Sequence, residues 1–257
     1  MQLACSSQSY EDMLGEGRWT LVDWLRFAAE ELGLSGVELE DKHIGAPRGD
    51  GVEAVAAAAS RYGLAIVNIA FMNNFGVADD AGRSAEEART REWMAAAQQL
   101  GSRFLRTFAG WPEGDRAARW PAMIAALRSV CREAERRGVR MVMENHNHGG
   151  FVQTAADATA ILAQVGSPAL GLLLDTGNYL DGLASVKMTA ARAWHVHAKF
   201  TRIGDDGRDP AIDHDAILAL LREAGYDGWI SVEYEGAEPS RTAVPRALAY
   251  LRRAVLV

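Results

Sequence analysis

The feature that most constrains this chain is a repeated one: short apolar runs, most of them announced by a glycine, recur along its length. Gly36-Val37-Glu38-Leu39, Gly63-Leu64-Ala65-Ile66-Val67, Gly101-Ser102-Arg103-Phe104-Leu105, Gly138-Val139-Arg140-Met141-Val142 and Gly228-Trp229-Ile230-Ser231-Val232 each read as a helix C-cap turning into a buried strand. Alanine-rich, charged segments with helical periodicity lie between them, such as those from Ser84 to Leu100 and from Arg119 to Arg137. The strand candidates are Leu3 to Ser6, Val37 to Glu40, Leu64 to Ala70, Phe104 to Phe108, Val139 to Asn145, Leu170 to Asp175, Trp194 to Lys199 and Trp229 to Glu235. Eight strands alternating with helices in 257 residues predict an α/β fold, a single (β/α)8 TIM barrel over residues 1–257. A doubly wound open sheet is the rival, but it calls for an early glycine-rich phosphate loop, and Cys5-Ser6-Ser7-Gln8-Ser9 after the first strand offers none.

Composition narrows the partners. Apolar residues make up 49% of the chain and charged residues 24%, as in ordinary globular proteins, and the tryptophans are spread along it, which argues against a disordered tail. The net charge of −7 gives no electrostatic reason to bind a polyanion, so no nucleic acid is expected. Cys5 and Cys131 form neither a metal-type spacing nor a disulfide framework, which fits a reducing cytoplasm. The first twenty residues lack a basic start followed by an apolar run, and no stretch is apolar enough to span a bilayer, so neither a signal peptide nor a membrane segment is expected. A homo-oligomer is left open.

In a barrel of this kind function sits at the C-terminal ends of the strands. There the candidates accumulate: Glu144 and His146 after strand five, Asp175 and Asn178 after strand six, His195 and His197 on strand seven, Glu233 on strand eight. In Trp194-His195-Val196-His197-Ala198-Lys199 the two imidazoles and the ammonium alternate, so they share one face of the strand, while Trp194, Val196 and Ala198 share the other. A single strand-end carboxylate is more often a loop cap or an ion-pair partner than a ligand. Four successive strands each delivering an oxygen or nitrogen donor is the pattern a divalent cation needs.

In this order the motifs Gly36-Val37-Glu38-Leu39, Met143-Glu144-Asn145-His146, Leu174-Asp175-Thr176-Gly177-Asn178, His195-Val196-His197-Ala198-Lys199 and Gly225 to Glu233 resemble the xylose isomerase-like barrel family, over nearly the whole chain. That family holds sugar phosphate isomerases, ketose 3-epimerases, hydroxypyruvate isomerases and inosose dehydratases. The resemblance implies one divalent metal ion (Mn2+, Mg2+, Co2+ or Zn2+) held by Glu144, Asp175, His197 and Glu233. It also makes Glu144 and Glu233 the acid/base pair of an isomerase or epimerase that passes through an enediolate of a small carbohydrate substrate.

Around that set, His195 lies one layer deeper and is expected to be buried and hydrogen-bonded, with Glu38 as its partner. Lys199 and His146 are placed near substrate or behind the ligands, Arg106 is a strand cation in need of a carboxylate, and His43 and Trp111 are expected to wall the pocket. Many ketose epimerases have a His where this chain has Asn178 and an Arg where it has Ile203; Arg202 and Arg208 are the nearby cations. The loops after strands seven and eight carry carboxylates beside their glycines, which favours an unphosphorylated substrate. A lyase or dehydratase on the same platform is the alternative. An apurinic endonuclease, which shares the fold but needs three zinc ions and more ligands, and a non-catalytic sugar-binding protein rank below it.

Overall fold

A computed structural model describes residues 1–146 and 148–255. Eight parallel strands close into one barrel: β1 Gln2–Ser6, β2 Gly36–Glu40, β3 Ala65–Ala70, β4 Leu105–Thr107, β5 Met141–Glu144, β6 Leu170–Asp175, β7 Ala193–Phe200 and β8 Trp229–Tyr234. Closure comes from β1 pairing with β2 on one side and with β8 on the other, Gln2 opposite Trp229 and Cys5 opposite Val232. The open-sheet alternative is thereby excluded. All eight expected strands are present, with β4 and β5 shorter than the apolar runs that announced them.

The helices between strands start and stop where side-chain chemistry directs. Thr20 and Thr154 each open a helix, Leu21–Glu30 and Ala155–Val165, with a reciprocal capping box to Asp23 and Asp157. The helix Arg116–Arg137 stops at Gly138, whose left-handed backbone (φ 68°) costs a glycine little. Gly63 and Gly101 are also left-handed, as expected of C-caps. Gly36 and Gly228 are not: the left-handed positions there are Gly33 and Gly225, three residues earlier. Gly36 is needed for room, since a Cβ on it would lie 2.3 Å from the Trp229 ring.

The main hydrophobic core lies between the outer faces of the strands and the surrounding helices, and includes Trp24, Leu39, Met94, Leu127, Leu174 and Val232. The barrel interior is filled separately. Its floor is apolar, formed by Ala4, Val67 and Trp229 and by Phe104, Val142 and Leu173 with Trp194 packed against them. Trp194 corrects one expectation. Strict alternation puts it on the helix-facing side with Val196, but Leu172 pairs with Ala193 and Leu173 with His195, so Trp194 is the extra residue of a bulge. Freed from the pleat, it joins the floor over Gly171.

Above the floor the inward positions turn polar. Glu38 and Glu40, Arg106, Glu144, Asp175, His195 and His197, Lys199, Ser231 and Glu233 are all buried. Register does the sorting: His197 stands beside Asp175 on β6 and Ser231 on β8, while Lys199, one step up, stands beside Glu233. Among the described residues no helix is long and apolar enough to cross a membrane.

Candidate metal centre and active site

Four side chains meet at the C-terminal end of the barrel. Glu144, Asp175, His197 and Glu233 each present a donor atom within 4.8 Å of the others, and all four are buried. His197 Nδ1 is at the centre, 3.6 Å from Asp175 Oδ2, 3.5 Å from Glu233 Oε2 and 3.9 Å from Glu144 Oε1. His197 Nδ1 and Asp175 Oδ2 have no hydrogen-bond partner despite their burial. Unpartnered buried polar atoms are costly, so their convergence calls for a group that binds them. Donors about 2.0–2.2 Å from one cation stand roughly 3 to 3.5 Å from each other, which is close to the spacing of His197 Nδ1 from its neighbours, and three carboxylates with one imidazole form an oxygen-rich, borderline donor set. The residues fit a divalent cation.

Each donor is held from behind. Asn145 accepts from the Asp175 backbone N–H at 2.8 Å and donates to its carbonyl at 3.0 Å, while Asp175 Oδ1 accepts from Gly177 N–H at 2.8 Å. Only Oδ2 is left to face the cluster. Arg106 lies between two carboxylates, donating to Glu144 Oε2 at 3.1 Å and to Glu40 Oε2 at 3.2 Å, and Asn178 reaches Glu144 Oε1 at 3.3 Å. Lys199 Nζ is 2.7 Å from both Glu233 Oε2 and Glu235 Oε2 and 3.9 Å from Asp175 Oδ2. Below, Glu38 joins His195 and His197, at 2.7 Å and 2.8 Å from their Nε2 atoms.

These neighbours set the two glutamates apart. Burial pushes the Glu144 carboxyl up to about 8, only partly offset by Arg106 and His197. Burial opposes ionisation of Glu233 as well, yet Lys199 and then His197 hold it well below the usual carboxylate range. Glu40 is raised to about 7 by burial in spite of Arg106. His197 is buried too, but Glu38 and Glu233 keep its proton on well above the ordinary histidine range.

A cavity of about 440 Å³ opens onto this cluster, lined by Glu40, Arg106, Phe108, Glu144, His146, Asn178, Lys199 and Glu233, with Gln8, Asp41, Lys42, Met72 and Glu235 around them. Of the residues singled out in the sequence, the fully buried Asp175, His195 and His197 are outside that lining, and so are His43 and Trp111. His43 bridges Ser7 Oγ (2.8 Å) and Glu11 Oε2 (2.9 Å), and Trp111 packs behind the lining residues Phe108 and His146. Burial lowers His146 to about 4, so its ring is neutral near pH 7. Glu40, Glu235, Asn145 and Phe108 were not anticipated. Glu40 and Glu235 each stand two residues beyond an inward glutamate, a spacing that marks them in retrospect. A cleft of comparable size, about 540 Å³, lies on the outer side between Asp206, Arg208 and Tyr250, and no cluster of buried donors faces it.

The model of the xylose isomerase-like TIM barrel family matches residues 27–254. The chain belongs to this family. Among curated relatives, an inosose dehydratase of Clostridium beijerinckii is 28% identical over 145 residues, 45% of this chain and 47% of that protein. The chain thus spans about half the length of the curated relative it matches. Among solved structures, 3-keto-D-glucoside 4-epimerase of E. coli superposes with a TM-score of 0.79 at 20% identity, covering 98% of this chain and 99% of the other. The IOLI protein, in a structure with a bound zinc atom, gives a TM-score of 0.79 at 18% identity, covering 100% and 97%. At such identities the likeness is one of fold.

Proposed function

We propose that this chain is a sugar isomerase or epimerase that uses one divalent cation and moves a proton at the carbon next to a ketone. The observation that carries this reading is the convergence of Glu144, Asp175, His197 and Glu233 at the C-terminal end of the barrel, where Glu144 and Glu233 line the cavity. When bound, a cation such as Mn2+, Mg2+, Co2+ or Zn2+ supplies Lewis-acid polarisation of the ketone and its neighbouring hydroxyl. Glu233, with the Lys199 ammonium 2.7 Å away, is suited to take the proton from carbon, and Glu144, the second glutamate of the cluster, is suited to return one. Arg106 and Asn178 fix the Glu144 carboxyl, Lys199 and the neutral His146 offer hydrogen bonds to substrate oxygens, and burial of the cluster keeps bulk water from the reacting carbon. The epimerase and the zinc-bound protein among the structural neighbours support this reading.

The cavity lining counts five carboxylates, Glu40, Asp41, Glu144, Glu233 and Glu235, against Lys42, Arg106 and Lys199. Burial raises Glu40 to about 7 and Glu144 to about 8, so the lining still offers no excess of positive charge for a phosphate dianion, and we take the substrate to be an unphosphorylated ketose or polyol derivative. The inosose dehydratase relative supports a second reading, a lyase in which the same carbanion expels a leaving group from the β-carbon. Both begin with loss of a C–H proton. Turnover of unphosphorylated ketoses, keto-glycosides and inososes in heavy water, followed by proton NMR, is expected to place deuterium on the carbon next to the carbonyl. Turnover that leaves this hydrogen unexchanged means hydride transfer and overturns the proposal.

A further inference from the structure

Beneath the four donors, Glu38 on β2 makes two contacts that the chemistry above does not use. Its Oε1 lies 2.8 Å from His197 Nε2, and its Oε2 lies 2.7 Å from His195 Nε2. All three side chains are fully buried. The tie runs across the barrel interior, since β2 and β7 are not neighbours in the sheet. His195 Nε2 is also 3.0 Å from Ser231 Oγ on β8, so the second carboxylate oxygen is held by a ring that is itself anchored.

The geometry points to Glu38 as the positioning residue of this site: it acts through His197, holding the proton on Nε2 and the ring at the angle that aims Nδ1 at Glu144, Asp175 and Glu233. This rests on the metal-centre reading proposed above. To ligate a cation His197 must shed the second proton that Glu38 and Glu233 hold on it, leaving a neutral imidazole with one N–H and one lone pair, and the charge facing one nitrogen decides the role of the other. An ionised carboxylate only accepts. Facing Nε2, it therefore assigns the lone pair to Nδ1, the atom that stands in the donor cluster. No arginine or lysine pairs with Glu38 among the described residues; its Oε2 is hydrogen-bonded to His195, and its Oε1 places negative charge 2.8 Å from His197 Nε2 without the alignment of a hydrogen bond. His195 gains a role as well: by occupying Oε2 it stops the carboxylate from turning away from His197.

Glu38→Gln tests this because it keeps the shape and removes dual acceptance. A carboxamide accepts at one end and donates at the other, so one of the two histidines must lose its acceptor. Metal-free wild type and Glu38→Gln are titrated with Mn2+, with free ion read by electron paramagnetic resonance and folding checked by circular dichroism. The variant is expected to bind Mn2+ about 10- to 100-fold more weakly, as for other residues that orient a metal-bound histidine. Equal affinity in a folded variant overturns the positioning role and leaves the metal centre standing. A wild type that takes up no Mn2+ removes the metal-centre reading and this inference with it. Should Glu38→Gln fail to fold, the wild type decides alone: in the Zn2+-loaded protein, nitrogen-15 NMR of the imidazoles is expected to show the His195 and His197 protons on Nε2. A His197 proton on Nδ1 overturns the proposal.

Discussion

Glu144 and Glu233 are the same side chain in two electrostatic settings, and the difference comes from single neighbours. Glu233 has the Lys199 ammonium 2.7 Å away, whereas Glu144 shares the Arg106 guanidinium with Glu40. Replacing either carboxylate by a carboxamide keeps its volume and removes its capacity to carry a proton. Glu144→Gln and Glu233→Gln are therefore each expected to lower kcat by at least about 10²-fold with the fold intact, while His195→Asn costs about 1–3 kcal/mol of stability through the buried partner it leaves unpaired and acts on turnover only through the Glu38–His197 contact. Activity with circular dichroism and urea melts on the three variants checks this, and a fully active Glu144→Gln would refute the role given to it. Inward-facing residues were legible where alternation along a strand, a sequence property, drew attention to them, as for His195, His197 and Lys199, whereas Glu40, two residues past Glu38, is marked only in retrospect. Their partners were harder to read. Arg106 meets Glu40 and Glu144 from strands 66 and 38 residues away, and only barrel tilt and register decide that it reaches both. The same holds for His43 and Trp111, which follow β2 and β4 but lie outside the lining, where Ser7, Glu11 and Phe108 engage them.

At the level of elements, the barrel floor depends on fitting two indoles over two glycines. Trp229 lies against Gly36 and Trp194 against Gly171, and a Cβ on Gly171 would stand 2.0 Å from the Trp194 ring. The bulge that turns Trp194 inward exists only if that space stays open. Gly171→Ala is expected to push the indole from its seat and to destabilise the protein by about 1–3 kcal/mol, the usual cost of overpacking. Equilibrium unfolding in urea measures it, and a variant within about 0.5 kcal/mol of wild type would show that the floor relaxes freely. None of this was visible in the strand pattern. Gly171 opens the apolar run Leu172-Leu173-Leu174 and reads there as a strand residue of no consequence, because its role is set by β7 and not by its own segment.

Across the whole molecule, the eight apolar runs were legible because strands of a parallel barrel are covered on both faces, by helices outside and by filled layers within. Closure was not written in any one run, for it requires β1 to find β8 at the far end of the chain. That closure also brings Glu233 on β8 around to Asp175 and Glu144, so the barrel and the donor cluster form together. Folding without a cation must bury Glu144, Asp175 and Glu233 side by side, with Arg106, Lys199 and a protonated His197 as their nearest countercharges. A ligand that binds the folded state alone stabilises it by about 2.7 kcal/mol at a hundred times its Kd, which for a domain of this size raises Tm by roughly 5 to 11 °C. Added Mn2+ is accordingly expected to raise Tm by that order and a chelator to reverse it, whereas Asp175→Ala combined with His197→Ala abolishes the response. Differential scanning calorimetry on both proteins, with Mn2+ and with chelator, reads the linkage directly, without any need to know the sugar. A wild-type Tm indifferent to the cation, or an equal rise in the double variant, would place the ion elsewhere and sever the metal from the four strand ends that converge on it.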